Sequence, residues 1–176
     1  MEDKKTTILH IEDNPSNRKL VRKILEAEGY RIMEATNGID GFDMAQKKPD
    51  IILMDINIPG IDGRELSTKI KSTKGLEGIP IIAITSNVMK GDREKVLVAG
   101  CDGYIPKPID IEKFPEQIRT YLKGKREAVA GEEEKALLKD YSKALVDKLE
   151  EKVIELEKAN RDLKGRNAEI TEAHRR

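Results

Sequence analysis

An α/β fold, a parallel sheet with helices on both faces, is predicted by two features of the sequence. Short, strongly apolar runs alternate with amphipathic, helix-like segments over residues 1–123, five of each, joined by brief connections. Two of the runs, Ile51-Ile52-Leu53-Met54 and Ile79-Pro80-Ile81-Ile82-Ala83-Ile84, carry no polar residue, the pattern of strands buried on both faces. The rest of the chain differs. Half of the residues in 125–176 are charged, whereas all seven prolines lie at or before Pro115. The expected organisation is one α/β domain over 1–123, a linker over 124–136 and a long helix or coiled coil over 137–176.

In chain order, the first strand is expected at 6–11 and ends on Glu12-Asp13. Asn14-Pro15 makes a turn, and Ser16 is read as the N-cap of a helix running to about Gly29. Leu20, Val21, Ile24 and Leu25 recur there at helical spacing. Residues 30–35 form the second strand and 37–48 the second helix, with Ile39, Phe42 and Ala45 on one face. The third strand ends on Asp55. Pro59 and Gly60 then force a turn, and a helix covers 64–71. The fourth strand ends on Thr85-Ser86 and is followed by a helix over 88–99, closed by Gly100. The fifth strand is short, Tyr104-Ile105, and runs into Pro106-Lys107-Pro108. The last helix of the domain begins near Pro115, a residue suited to the first helical position, and continues through Ile118, Tyr121 and Leu122.

Composition removes several classes of function. Lys+Arg and Asp+Glu are both 33, so no global field attracts nucleic acid or an anionic membrane. Aromatics are 3% and Trp is absent, which argues against a base-stacking surface. One cysteine, Cys101, excludes an internal disulfide and fits a reducing compartment. No apolar run reaches signal-peptide or membrane-spanning length. The expectation is a cytoplasmic protein that binds neither nucleic acid nor membrane.

The chemistry gathers at the carboxyl ends of the strands, the edge at which open α/β sheets bind ligands. Glu12, Asp13 and Asp55 end two strands, Thr85 ends a third, and Lys107 follows the last. Three carboxylates brought together repel, and each then resists ionisation. A divalent cation resolves the conflict, and hard oxygen ligands in an open site suit Mg²⁺. A carboxylate beside such a metal is able to act as a nucleophile and become an acyl phosphate. Lys107 and the Thr85 hydroxyl would then neutralise the phosphoryl oxygens.

Residues 5–123 resemble the receiver domain of the two-component response-regulator family. The resemblance rests on Leu9-His10-Ile11-Glu12-Asp13-Asn14, on Met54-Asp55-Ile56-Asn57-Ile58-Pro59-Gly60-Ile61-Asp62-Gly63, on Ile84-Thr85-Ser86 and on Tyr104-Ile105-Pro106-Lys107-Pro108. Each piece alone is weak; in this order at this spacing they are highly specific. The resemblance implies a flavodoxin-like strand order, 2-1-3-4-5. It implies that Asp55 takes a phosphoryl group from the phosphohistidine of a histidine kinase or phosphotransfer protein. Asp13 would bind Mg²⁺ directly, Glu12 mainly through water, and the Asn57 backbone carbonyl would complete the site. Thr85 and Lys107 would hold the phosphoryl oxygens, Tyr104 would turn inward on activation, and the Lys107–Pro108 bond would be cis. A module of this kind is a regulatory phosphoacceptor, with self-catalysed phosphotransfer and slow autodephosphorylation. Ser86 departs from the small alanine common after the threonine, a minor change in size.

Other readings of these residues are blander. His10 is expected to fill a strand-face position, and Cys101 to be a small buried residue with no cation to activate it. The glycines form no dinucleotide fingerprint. An aspartyl-phosphate hydrolase would want an acid two residues after its nucleophile, where Asn57 stands.

The tail carries a heptad, with Val146, Val153, Asn160 and Asn167 at a and Leu149, Leu156, Leu163 and Ile170 at d. Asparagine at a favours a parallel dimer in register, and Lys152 at g faces Glu157 at the following e. A parallel homodimer is therefore expected, in preference to a single solvated helix. No helix-turn-helix, basic groove-reading helix or zinc spacing follows the domain. The alternative is that the chain is the regulatory front of a longer signalling enzyme, a histidine kinase or nucleotide cyclase.

Overall fold

Strands β1 (Thr7–Ile11), β2 (Arg31–Ala35), β3 (Ile51–Met54), β4 (Ile81–Thr85) and β5 (Gly103–Pro106) form one parallel sheet, in the order β2-β1-β3-β4-β5. The expected strand order is the one observed. Helices α1 (Pro15–Ala27), α2 (Gly38–Ala45), α3 (Gly63–Ser72), α4 (Asp92–Val98) and α5 (Phe114–Leu122) connect and follow the strands, and α6 (Gly131–Ala173) comes last. The computed structural model describes the backbone of residues 5–86, 91–129 and 131–173, and the side chains of that span except 132, 133 and 167–173. Two units divide the chain by their contacts, Met1–Glu134 and Lys135–Arg176.

Alternation along the strands sorts the apolar residues into two layers. Leu9, Ile11, Ile52, Met54, Ile81 and Ala83 meet Leu66 and Ile70 of α3 and Val96 of α4 on one face. Ile8, Ile51, Leu53, Ile82, Ile84 and Ile105 meet Val21 and Leu25 of α1 and Phe114 and Ile118 of α5 on the other. Every residue of β3 and β4 is buried for this reason, as expected of strands covered twice.

Several local expectations are corrected. Asn14, not Ser16, caps α1: its side-chain oxygen accepts from the Ser16 and Asn17 amides at 2.9 and 3.2 Å, and Pro15 takes the first helical position. In α2 the buried face is Gly38, Gly41 and Ala45, while Ile39 is 59% exposed. The helix lies too close to its neighbours for a larger face, since a Cβ on Gly41 would stand 2.6 Å from Ile11 Cδ1. The helix expected over 88–99 is described only as Asp92–Val98, with Gly91 before it at φ +90°; residues 87–90 lie outside the described residues. After α5 the chain leaves the helix at Gly124 (φ +103°), and α6 begins afresh at Gly131.

Within α6, the heptad residues Val146, Leu149, Val153, Leu156 and Leu163 are exposed, as is Ile154 outside the seam. Asn160 is exposed too, and the side chains of Asn167 and Ile170 lie outside the described residues. Lys152 pairs with Glu155 of its own helix at 2.6 Å. Among the described residues, no helix is long and apolar enough to cross a membrane.

Candidate functional site

β3 sets Asp55 in place. The Asp55 amide continues the ladder by donating to the Ile11 carbonyl at 2.9 Å, and the residue is buried. The chain then turns back so tightly that Gly63 packs on it; a Cβ there would lie 2.7 Å from the Asp55 carbonyl oxygen and the Ile56 Cα. Asp55 Oδ1 accepts from the Asn57 amide at 3.0 Å.

β1 runs alongside β3 and delivers the other two acids. Glu12 is 1% exposed, whereas Asp13 faces outward. Glu12 Oε1 accepts from the Asn14 amide and from Asn17 Nδ2, both at 3.2 Å. Arg18 Nη1 donates to the carbonyls of Glu12 and Asp13, each at 2.7 Å, and pins the loop that carries them. Asn17 and Arg18 were not singled out from the sequence, although their place in the first turns of a helix starting at the acidic loop was a usable signal.

From the other side of the sheet come Thr85 and Lys107. Thr85 is buried, and its carbonyl accepts from the Lys107 amide at 2.9 Å. The Lys107–Pro108 bond is cis. Lys107 Nζ then bridges the site, 2.6 Å from Glu12 Oε2 and 2.5 Å from Asp55 Oδ2.

Oxygens of Glu12, Asp13 and Asp55 all lie within 4.8 Å of one another. Burial works against the charge on Lys107, but the hydrogen bonds it donates to Asp55 and Glu12, with their charges, outweigh it and raise its pKa. Lys107 is thus held as an ammonium. Three carboxylates against one ammonium leave two negative charges over, beside an exposed Asp13. A donor set of hard oxygens with that residual charge fits a divalent cation.

Not every expected residue meets at this cluster. Tyr104 is half-buried against the core layer of α3 and α4. Its pKa is raised by burial and by Asp92 and Glu94 of α4. His10 is 1% exposed with an unpaired Nδ1, and its pKa is lowered to about 3 by burial, then by Lys107 and Arg18. It is a neutral strand-face residue. Cys101 is buried beside Ser67, and burial pushes its thiol up to about 12, far from a nucleophile's range.

A five-stranded parallel sheet that collects three acids and a lysine at its carboxyl edge has the form of a phosphoryl-accepting receiver. The model of the response regulator receiver domain matches residues 8–119, and the chain belongs to that family. It is 42% identical over 117 residues to the polar-differentiation response regulator DivK of Brucella anthropi, a match that covers 66% of this chain and 95% of the relative. Among solved structures, the receiver domain of a sensor histidine kinase from Pseudomonas aeruginosa is similar at 32% identity and TM-score 0.64, covering 68% of this chain and 99% of that one. That structure has a magnesium ion coordinated in its active-site cleft. The receiver domain of a signal transduction histidine kinase from Syntrophus aciditrophicus is similar at 28% identity and TM-score 0.63, covering 72% of this chain and 98% of that one. α6 lies outside the residues that the family model matches.

Proposed function

We propose that the chain is a two-component signalling switch that accepts a phosphoryl group on Asp55 from the phosphohistidine of a histidine kinase or phosphotransfer protein. The observation that carries this reading is the contact of Lys107 Nζ with both Asp55 and Glu12 inside the three-acid cluster. An Asp55 carboxylate oxygen attacks phosphorus, the P–N bond breaks, and its electron pair returns to the imidazole nitrogen, giving an acyl phosphate. Glu12, Asp13, Asp55 and the Asn57 carbonyl would hold Mg²⁺, which supplies positive charge to the phosphoryl oxygens when bound. Lys107 is a point charge already aimed at Asp55, and the Thr85 hydroxyl is the donor from β4.

Phosphorylation replaces one carboxylate charge with about two negative charges and strong acceptor oxygens. Thr85 is drawn toward them, Tyr104 turns into the vacated space, and the face made by α4, β5 and α5 is reshaped. The output is a parallel homodimer through α6. The decisive experiment incubates the full chain with a small phosphodonor and Mg²⁺ and follows its mass. One phosphoryl group is expected on the wild type and none on Asp55→Asn; an unchanged wild-type mass overturns the reading.

Likeness to receivers of two histidine kinases favours a second arrangement, in which the chain is the regulatory front of a longer signalling enzyme. An open reading frame continuing past Arg176 into a catalytic domain supports it, and a stop codon there refutes it.

A further inference from the structure

After α5, residues 123–129 are not helical, yet the chain is tied to the receiver at every residue of a short stretch. The Lys125 amide donates to the Thr120 carbonyl at 3.1 Å and the Glu127 amide to the Asp102 carbonyl at 2.9 Å. Arg126 reaches Asp102 Oδ1 at 3.2 Å and donates to the Tyr121 carbonyl at 3.2 Å. Asp102 is itself anchored, accepting from the Ile81 amide at 2.8 Å and pairing with Lys71 of α3 at 2.7 Å.

The strongest tie is a carboxylate. Glu127 Oε2 accepts from Arg93 of α4 through both Nε (3.1 Å) and Nη2 (2.6 Å), and Oε1 accepts from the Tyr121 hydroxyl of α5. Only 14% of the Glu127 side chain is exposed, in a run of charged residues where solvation is the ordinary expectation. Its partners are held in their turn. Tyr121 is 2% exposed and lies so close to β5 that a Cβ on Gly103 would meet its ring at 2.4 Å. The Tyr121 ring and hydroxyl both lie against Gly103, so the group that holds Glu127 packs on the strand of the switch aromatic.

We propose that Arg93 and Tyr121 form a carboxylate-binding site on the α4–α5 face, whose ligand is Glu127 of the same chain. The docked segment couples α4 and β5 to the residues that lead into α6. A carboxylate held by two guanidinium N–H groups on one oxygen and a hydroxyl on the other, part shielded from water, is fixed in orientation as well as distance. A non-helical connection therefore need not be a slack tether: a movement of α4 or Tyr121 is passed to 125–127, four residues before the first residue of α6. This goes beyond the phosphoacceptor reading and does not depend on it, because the contact belongs to the unphosphorylated chain.

The test is amide hydrogen exchange on the full chain without phosphodonor, comparing wild type, Arg93→Ala, Glu127→Ala and the double variant. Each single variant is expected to speed exchange at the hydrogen-bonded Lys125 and Glu127 amides by about tenfold or more, and to speed exchange across α4. The double variant should exchange no faster than Glu127→Ala, which already removes every contact of that carboxylate. Unchanged protection of β1 and β3 shows that the fold is intact; Tyr121→Phe, which removes only the hydroxyl, gives a milder version if either alanine variant unfolds. Wild-type exchange at Glu127 in the variants overturns the site. Faster exchange at Lys125 and Glu127 with α4 unchanged, or a double variant that exchanges faster than Glu127→Ala, overturns the coupling.

Discussion

Lys107 shows how one side chain sets the character of the site. It is the only cation that touches both Glu12 and Asp55 among the described contacts, and those two carboxylates are 2% and 9% exposed. Removing it leaves three acids within 4.8 Å with no counter-charge at their centre. Lys107→Ala is expected to lose about 3 kcal/mol of stability in urea without divalent ion, the scale for breaking a buried pair by deleting one partner. Adding Mg²⁺ should return more stability to this variant than to the wild type, because an ion bound to the folded state alone stabilises it by mass action. Equal Mg²⁺ responses in the two proteins would contradict the charge balance described for the site.

Among the elements, β5 and the α5–α6 connection carry the least redundancy. Gly103 has ordinary backbone angles, so its need for a hydrogen side chain comes from the Tyr121 ring packed on it. Gly103→Ala is expected to cost 1–3 kcal/mol, roughly the range for overpacking, and to disturb Glu127 with Tyr121. Urea unfolding reads the first effect and amide exchange at Glu127 the second. The same connection has an acid signature. Burial opposes the charge on Glu127, but hydrogen bonds from Tyr121 and Arg93, with the charges of Arg93 and Lys125, hold its carboxyl below the ordinary 4.5. A depressed folded value means that the contribution to stability is complete above pH 4.5 and is lost as the pH falls through the lower value. The gap in stability between wild type and Glu127→Gln should therefore close in acid and stay constant from pH 5 to 7. A gap that persists unchanged below the folded value would show that charge is not what holds the segment.

For the molecule as a whole, the two units pose different physical problems. Among the described residues, the receiver buries most of its apolar side chains in two layers, whereas α6 keeps Val146, Leu149, Val153, Leu156 and Leu163 exposed. A stripe of that length with a 3–4 spacing favours a second helix over water. Replacing Leu149 and Leu156 with charged residues is expected to give a monomer in sedimentation while Asp55 still accepts phosphate. A double variant that stays dimeric would move the association to the receiver.

Much of the fold was legible in the sequence because its two signals are local and strong. Continuous apolar runs mark doubly covered strands, and the acids, threonine and lysine sit at run ends, where a parallel sheet brings them to one edge. Less legible was anything decided by close approach. Ile39 has the spacing of a core residue, but Gly41 lets α2 come down on Ile11, so the glycine face turns inward and Ile39 outward. Asn14 displaced Ser16 as the cap because its oxygen reaches two amides at once.

By itself, then, the sequence determined the strand and helix alternation, the acidic edge with Asp55 at its centre, and the change of architecture after residue 124. Only the tertiary structure decided that Lys107 closes onto Glu12 across 95 residues and onto Asp55 across 52. It alone decided that Glu127, one acid in a charged run, docks on Arg93 and Tyr121. The physical reason is common to both. Hydrophobic period and turn chemistry are written along neighbouring residues, whereas a charge chooses its partner from whatever the packed sheet and helices bring within about 3 Å.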